Sequence, residues 1–119
     1  MIDLKKLLIT ALVILIIDSL WLFTGGQYAV RMTAKIQGSP VIFRYGAALI
    51  VYLALAYLHN TFAKSLSEAF ALGLSTYAVY DFTNYALLKD YDFRFAVADT
   101  VWGGVLFSMV HSVMKYIPV

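Results

Sequence analysis

Four long apolar runs, separated by short polar segments, limit what this chain can fold into. Of its 119 residues 62% are hydrophobic and only 13% are charged, whereas charged residues make up about 25% of an ordinary soluble domain. One membrane-spanning helix takes about 20 apolar residues, so four would use about 80 and leave only short loops. The sequence therefore predicts a small polytopic membrane protein and argues against a soluble or a disordered chain.

The runs predict an all-α fold, a four-transmembrane-helix bundle with short loops that forms one integral membrane domain over residues 1–119. Helices are expected because lipid offers the backbone no hydrogen-bond partner, and because the runs lack the alternation of barrel strands. The predicted spans are residues 7–24, 41–58, 67–88 and 93–114. Residues 27–39 form the longest loop, in which a short helix at the membrane surface is expected.

Local signals suggest where these spans begin and end. Gly25 and Gly26 are expected to end the first span, and Pro40 to lie in the first turn of the second. Ser67 and Glu68 are expected to begin the third, because a hydroxyl caps a helix and an acid favours its first turn.

Small residues and a histidine carry structural interpretations. Gly73 and Gly104, each with a small residue four positions away, predict close helix packing. His59 lies at a predicted helix end and is expected at the interface.

The basic residues leave the orientation of the chain in the membrane open. Lys5, Lys6, Lys64 and Lys115 flank the spans on the side of both termini, and Arg31, Lys35, Lys89 and Arg94 flank them on the other side. Because positive loops tend to stay cytoplasmic, this balance has two interpretations. Either the insertion machinery decides the orientation, or the chain inserts both ways and forms antiparallel homodimers.

The expected partners are the lipid bilayer and either a second copy or a larger membrane complex. The net charge of +2 gives no indication of nucleic acid.

The sequence predicts neither a cofactor nor a metal site. It contains no cysteine, which excludes disulfides and thiolate metal sites. It also contains no zinc-protease motif, phosphate-binding loop or dinucleotide fingerprint. Carboxylates within the spans could hold a hard cation, but no other ligand accompanies them to fix the geometry.

Three aspartates inside the apolar runs are the main candidates for function. Asp18, Asp81 and Asp99 each lie five to eight residues from the span end on the side of the longest loop, which is about 8–12 Å at 1.5 Å per residue. A charge in a span costs about 2.5–3.5 kcal/mol, so we expect all three to face the bundle interior in one layer. They form either a functional carboxylate site, with Asp81 and Asp99 the stronger candidates, or structural hydrogen-bond links between helices.

The neighbours of these aspartates repeat a pattern. Residues 18–21 and 99–102 both read Asp, hydroxyl, aliphatic, Trp, which places Asp and Trp on the same helix face. Arg44 is the only basic residue predicted to reach the layer, where it would keep a carboxylate ionised. The candidate substrate- or ion-binding residues are Asp18, Trp21, Arg44, Tyr80, Asp81, Asn84, Asp99 and Trp102. No catalytic residue is assigned.

These motifs resemble a known family. Residues 18–22, 77–84 and 99–103 fit D-x-x-W-L, Y-x-x-Y-D-x-T-N and D-x-x-W-G, and residues 86–89 fit A-x-L-[KR]. The pattern is similar to that of the small predicted membrane proteins of domain of unknown function 2177. The resemblance implies a four-helix, mostly bacterial protein, expected in the inner (cell) membrane, and no agreed activity. Family members usually continue with G-W-P, where this chain has Asp90-Tyr91-Asp92.

The sequence leaves three classes of function open. The first is a small transporter whose carboxylates bind protons, a cation or a cationic substrate, with Asn84 and Tyr80 orienting them and the two tryptophans walling the site. The second is a membrane enzyme or an accessory protein of lipid metabolism, in which paired carboxylates do acid–base work. The third is a non-catalytic subunit or assembly factor of a membrane complex.

Overall fold

The computed structural model describes residues 2–119, and this part of the chain is all-α with five helices. They are α1 (Leu4–Leu22), α2 (Gly25–Gln37), α3 (Tyr45–Phe62), α4 (Leu66–Leu87) and α5 (Phe93–Met114). The most extensive packing is between α4 and α5, while α1 packs against both α3 and α5 and α2 contacts α1. The core lies between α1, α3 and α5, and its fully buried side chains include Ile14, Ala56, Leu106, Phe107 and Val110.

The helices give two to three candidate membrane spans within residues 2–119. By length and composition α3 and α5 each qualify alone, and α1 and α2, bent by 73°, qualify together as one further span. The four predicted spans are therefore supported only in part. Both α1, with Lys5, Lys6 and Asp18, and α4, with Glu68 and Asp81, contain charged residues that dilute their apolar character.

The bend between α1 and α2 corrects the role predicted for two glycines. Gly25 and Gly26 begin α2 instead of ending a span. At the end of α1 the backbone amide of Thr24 donates to the Trp21 carbonyl at 3.1 Å instead of to Leu20, and the Thr24 hydroxyl donates to the Leu20 carbonyl at 2.8 Å. A Cβ at Gly25 would lie 2.5 Å from the Trp21 ring, so glycine is required there for close packing. A helix is confirmed in the segment predicted to contain a short one, and this helix, α2, extends over 13 residues.

The second predicted span begins later than expected. Pro40 does not lie in its first turn, because residues 40–44 are not helical and α3 begins at Tyr45. The Gln37 side chain donates to the carbonyl groups of Ser39 and Pro40, both at 3.0 Å, which holds this segment against the end of α2. His59 lies in the last turn of α3, as predicted, but its side chain is buried, with its Nε2 atom 3.2 Å from the Phe107 carbonyl oxygen.

Close packing between α4 and α5 depends on glycine. Gly73 lies against the backbone carbonyl of Gly103, and a Cβ at Gly104 would lie 2.8 Å from the Phe70 ring. The sequence predicted this role for Gly73 and Gly104, and the structure adds Gly103 as the second half of the contact at Gly73.

The cap of α4 gives a first testable prediction. Ser65, and not Ser67, caps this helix, since its hydroxyl accepts from the Glu68 amide at 3.2 Å. We expect Ser65→Ala to lower the free energy of unfolding by about 1 kcal/mol, as for other lost caps. Ser67→Ala is the matched control and should have little effect in equilibrium unfolding in mixed micelles. Equal effects of the two changes would contradict this assignment of the cap.

Candidate functional site

The fold brings the three aspartates of the apolar runs together. Asp18 on α1, Asp81 on α4 and Asp99 on α5 are 5%, 0% and 7% exposed, respectively. The carboxyl groups of Asp81 and Asp99 lie within hydrogen-bonding reach of each other. Asp18 lies near enough to Asp99 for their charges to interact. We refer to these three residues as the carboxylate cluster.

Two tryptophans cross-link the cluster between α1 and α5. Trp21 Nε1 donates to Asp99 Oδ1 and Trp102 Nε1 donates to Asp18 Oδ1, both at 2.8 Å. The two rings stack with their centroids 5.7 Å apart and their planes 13° from parallel. Each tryptophan therefore donates to the aspartate of the other helix. This is possible because the repeated Asp-x-x-Trp pattern places the Asp–Trp pairs of α1 and α5 at one level of the two facing helices.

Two tyrosines complete the hydrogen bonding, and neither was a candidate from the sequence. Tyr52 on α3 donates its hydroxyl to Asp18 Oδ2 at 2.6 Å. Tyr91, in the loop between α4 and α5, donates to Asp81 Oδ1 at 2.7 Å. All four helices that pack around the cluster thus contribute a partner or a carboxylate.

One oxygen of Asp81 lacks a regular hydrogen bond. Within residues 2–119, Asp81 Oδ2 and the hydroxyl oxygen of Thr100 are both buried without a hydrogen bond of regular geometry, although the two side chains lie beside each other. Since Asp99 also lies beside Asp81, two ionised carboxylates in contact would repel each other in a dry environment. One shared proton, or one bound cation, would remove this repulsion.

Two further candidates from the sequence, Asn84 and Arg44, lie outside the carboxylate cluster. Asn84 lies beside the hydroxyl groups of Tyr80 and Tyr91, and Tyr91 in turn donates to Asp81. The expectation for Arg44 is wrong. It is exposed at the start of α3, and Asp18 accepts its hydrogen bonds from Tyr52 and a tryptophan instead of pairing with it.

A small cavity opens beside Asp99, between α1, α2, α4 and α5. Its volume is about 160 Å³. Its lining residues include Trp21, Ala29, Thr33, Tyr80, Tyr91, Phe95 and Asp99. Four of these side chains are aromatic, and Asp99 is the only one that can carry a full charge at neutral pH. We call this cavity the Asp99 cavity, because Asp99 is the member of the carboxylate cluster that lines it.

Hydrogen bonds outside the spans fix the loop above the cavity. Asp92 caps α5 by accepting from the Arg94 amide at 2.7 Å, and it also accepts from the Tyr28 hydroxyl on α2. The bond from Tyr28 lowers the pKa of Asp92 and raises that of Tyr28. Burial, together with the bond to Asp81, raises the pKa of Tyr91, so this phenol remains a neutral donor to the cluster.

The cluster does not have the geometry of a metal centre. Within residues 2–119 no group of three or more His, Cys, Asp or Glu side chains is arranged to hold a metal ion. The groups that surround the carboxylates are donors, namely two indoles and two phenols. Donors of this kind hold carboxylates in place and leave few oxygen atoms for a hard cation.

Comparison with known proteins gives one match. The model of a family described as "Predicted membrane protein (DUF2177)" matches residues 4–117. No curated protein matches the chain, and no solved structure matches it.

Proposed function

The chain belongs to the DUF2177 family of predicted membrane proteins, and we propose that it is a transporter-like protein in which Asp81 and Asp99 share a proton and exchange it for a cation. In this proposal α1, α3, α4 and α5 cross the bacterial inner membrane, and α2 lies on its surface. The three aspartates are then intramembrane residues.

The exposed side chains support four spans. The four helices have 18 to 22 residues, or about 27–33 Å at 1.5 Å per residue, close to the hydrocarbon thickness of about 30 Å. The α1 and α4 helices do not qualify alone as membrane spans, yet they also present apolar side chains outward. Among these side chains are Ile16 and Leu20 on α1 and Val79 and Leu87 on α4. Soluble proteins rarely expose continuous apolar surface of this kind, whereas lipid would cover it.

The observation that carries the proposal is the buried oxygen Asp81 Oδ2 beside the Asp99 carboxyl group. An unsatisfied buried acceptor costs about 1–3 kcal/mol, and a charged one costs more. Purely structural links would be made at lower cost by asparagine, which has no charge to bury. A pair of carboxyl groups is favoured where the site must gain and lose a proton.

The contacts suggest how exchange would proceed. In the resting state one proton lies between Asp81 and Asp99. A cation that enters the Asp99 cavity is attracted by the pair and displaces the proton, while Trp21 and Tyr91 hold the two carboxyl groups in position. Four helices of this length enclose little space, so we propose that movement across the membrane uses a homodimer.

Proton exchange in vesicles tests this function. Protein in liposomes that contain a pH-sensitive dye is given an inward gradient of Na⁺, K⁺ or ethanolammonium. We expect at least one cation to drive proton efflux in the wild type and in Asp90→Asn, a control in the exposed loop. Asp81→Asn and Asp99→Asn should fall to the rate of empty liposomes while keeping their helical circular dichroism. Wild-type rates in both variants, or no exchange with any cation, would overturn the proposal.

A further inference from the structure

The walls of the Asp99 cavity indicate which cation it accepts. It combines one carboxylate with the rings of Trp21, Tyr80, Tyr91 and Phe95. Aromatic faces attract cations through the ring quadrupole, and cages of such rings recognise organic ammonium groups. Because Trp21 and Phe95 stack on each other, we assign the cation contact to the rings of Tyr80 and Tyr91. We propose, on the basis of the function proposed above, that the cation is an organic ammonium group, which enters this cavity and contacts Asp99.

The size of the cavity agrees with such a group. At about 160 Å³, it is smaller than the roughly 300–1,000 Å³ of pockets for drug-sized ligands. It is nevertheless several times the roughly 30 Å³ that one water molecule occupies in the liquid. A bare metal ion would leave most of this space unfilled, whereas a methylated or primary ammonium group with a short carbon chain would contact several walls at once.

The donor set argues against a metal ion. Ca²⁺ takes six to eight oxygen ligands, and Mg²⁺ also prefers a full oxygen shell. In the cavity, oxygen side-chain ligands come only from Asp99, Thr33 and the hydroxyl groups of Tyr80 and Tyr91, and Tyr91 already donates to Asp81. One oxygen of Asp99 is occupied by Trp21, so its other oxygen is the acceptor for an ammonium N–H or the contact for a methylated ammonium.

The rim of the cavity indicates two sources for this ammonium group. Leu22 and Tyr80 line the cavity and are largely exposed on the outer faces of α1 and α4. In a bilayer these faces contact lipid, so the group could belong to a phospholipid headgroup as well as to a free amine. The chemistry is the same in both cases, and the experiment below separates them.

Binding measured by tryptophan fluorescence tests the inference, because Trp21 lines the cavity. The purified full chain is titrated in mild detergent with tetramethylammonium, ethanolammonium, Na⁺ and K⁺ chlorides at constant ionic strength. We expect the two organic cations to bind and the two metal ions to produce no saturable change. Asp99→Asn should abolish binding, and Tyr80→Leu should weaken it about 5- to 30-fold. Val79→Leu, on the exposed face beside Tyr80, is the matched control and should bind like the wild type.

A cavity-filling variant separates this inference from the proposed function. Ala29→Met places extra atoms in the cavity and leaves Asp81 and Asp99 unchanged, so it should lose organic-cation binding while the pair keeps its proton. Saturable binding of Na⁺ or K⁺ alone would overturn the ammonium inference and leave proton exchange standing. Failure of every cation to bind, together with no exchange in vesicles, would overturn both.

Nanodiscs identify the source. At high ionic strength, where the negative surface charge of phosphatidylglycerol is screened, a lower tetramethylammonium affinity in phosphatidylethanolamine nanodiscs than in phosphatidylglycerol nanodiscs shows that the ligand is a lipid headgroup. Equal affinity in both lipids, with binding retained, supports a free amine. Either result supports an ammonium site, whereas loss of binding in both lipids would contradict it.

Discussion

Gly103→Ala should destabilise the protein by about 3 kcal/mol, the upper part of the range of about 1–3 kcal/mol for overpacked cores. A Cβ at this position would lie 2.6 Å from the Gly73 carbonyl oxygen and would also clash with the Tyr77 ring. Because one of these obstacles is backbone, the clash cannot be relieved by a side-chain rotation alone. The α4 and α5 helices must therefore move apart, which weakens the most extensive helix contact of the fold.

The matched control for this change is Gly46→Ala in the first turn of α3. Apart from its chain neighbours and the backbone of its own helix, no heavy atom of residues 2–119 would lie within 4 Å of a Cβ at this position, so alanine should be neutral or stabilise the helix by about 0.4–1 kcal/mol. Both variants are compared with wild type in equilibrium unfolding in mixed micelles. Similar stability of the two variants would contradict the close approach of α4 and α5 at Gly73 and Gly103.

Trp102→Phe should lower the free energy of unfolding by about 2 kcal/mol, within the range of about 1.5–3 kcal/mol for hydrogen bonds to charged groups. Phenylalanine keeps an aromatic ring beside Trp21 but removes the indole N–H that donates to Asp18 at 2.8 Å. Asp18 then keeps only its bond from Tyr52. The buried carboxylate loses half of its hydrogen bonding, which is the reason for the large effect.

A double-mutant cycle with Asp18→Asn and Asp99→Asn checks the crossed pairing. Trp102 should show a coupling energy of about 1–3 kcal/mol with Asp18 and a smaller one with Asp99, although Asp99 belongs to its own helix. Stronger coupling of Trp102 to Asp99 would contradict the arrangement in which each tryptophan serves the facing helix.

The sequence predicts the central features of the site because they depend on patterns that a membrane enforces. A carboxylate in an apolar run is expected to face other groups of the protein, because a charge facing lipid is costly. Asp18, Asp81 and Asp99 lie at similar distances from the same end of the predicted spans, so the packed helices bring them to one level. The bounds of α5 are the predicted ones, since Asp92 is a good cap and the run that follows is continuous.

Predictions based on helix ends were less successful. Glycine and proline are compatible with several local structures. The contacts found at these positions, the Trp21 ring at Gly25 and the Gln37 side chain at Pro40, cannot be identified from the residue types alone. The error for Arg44 followed from this, because α3 begins four residues later than the predicted span and leaves Arg44 outside the helix.

The tyrosine donors could not be identified from spacing. Tyr91 lies in a loop, and only the fold of that loop turns its hydroxyl toward Asp81. One signal was available, since the family usually has tryptophan where this chain has Tyr91 within Asp90-Tyr91-Asp92, and both side chains carry a donor on an aromatic ring. Tyr52 is harder to identify as a donor, because its apolar run contains several tyrosines and the sequence does not show which of their hydroxyl groups meets a carboxylate.

The infrared spectrum of the carboxyl groups at neutral pH decides whether Asp81 and Asp99 share one proton. The wild type and the Asp90→Asn control should both show the C=O stretch of a protonated carboxyl group. Asp81→Asn and Asp99→Asn should each lose this band, because the asparagine amide replaces the shared proton as the donor between the two side chains. A wild-type spectrum without the band, or a band that persists in both variants, would contradict the shared proton and with it the proposed exchange.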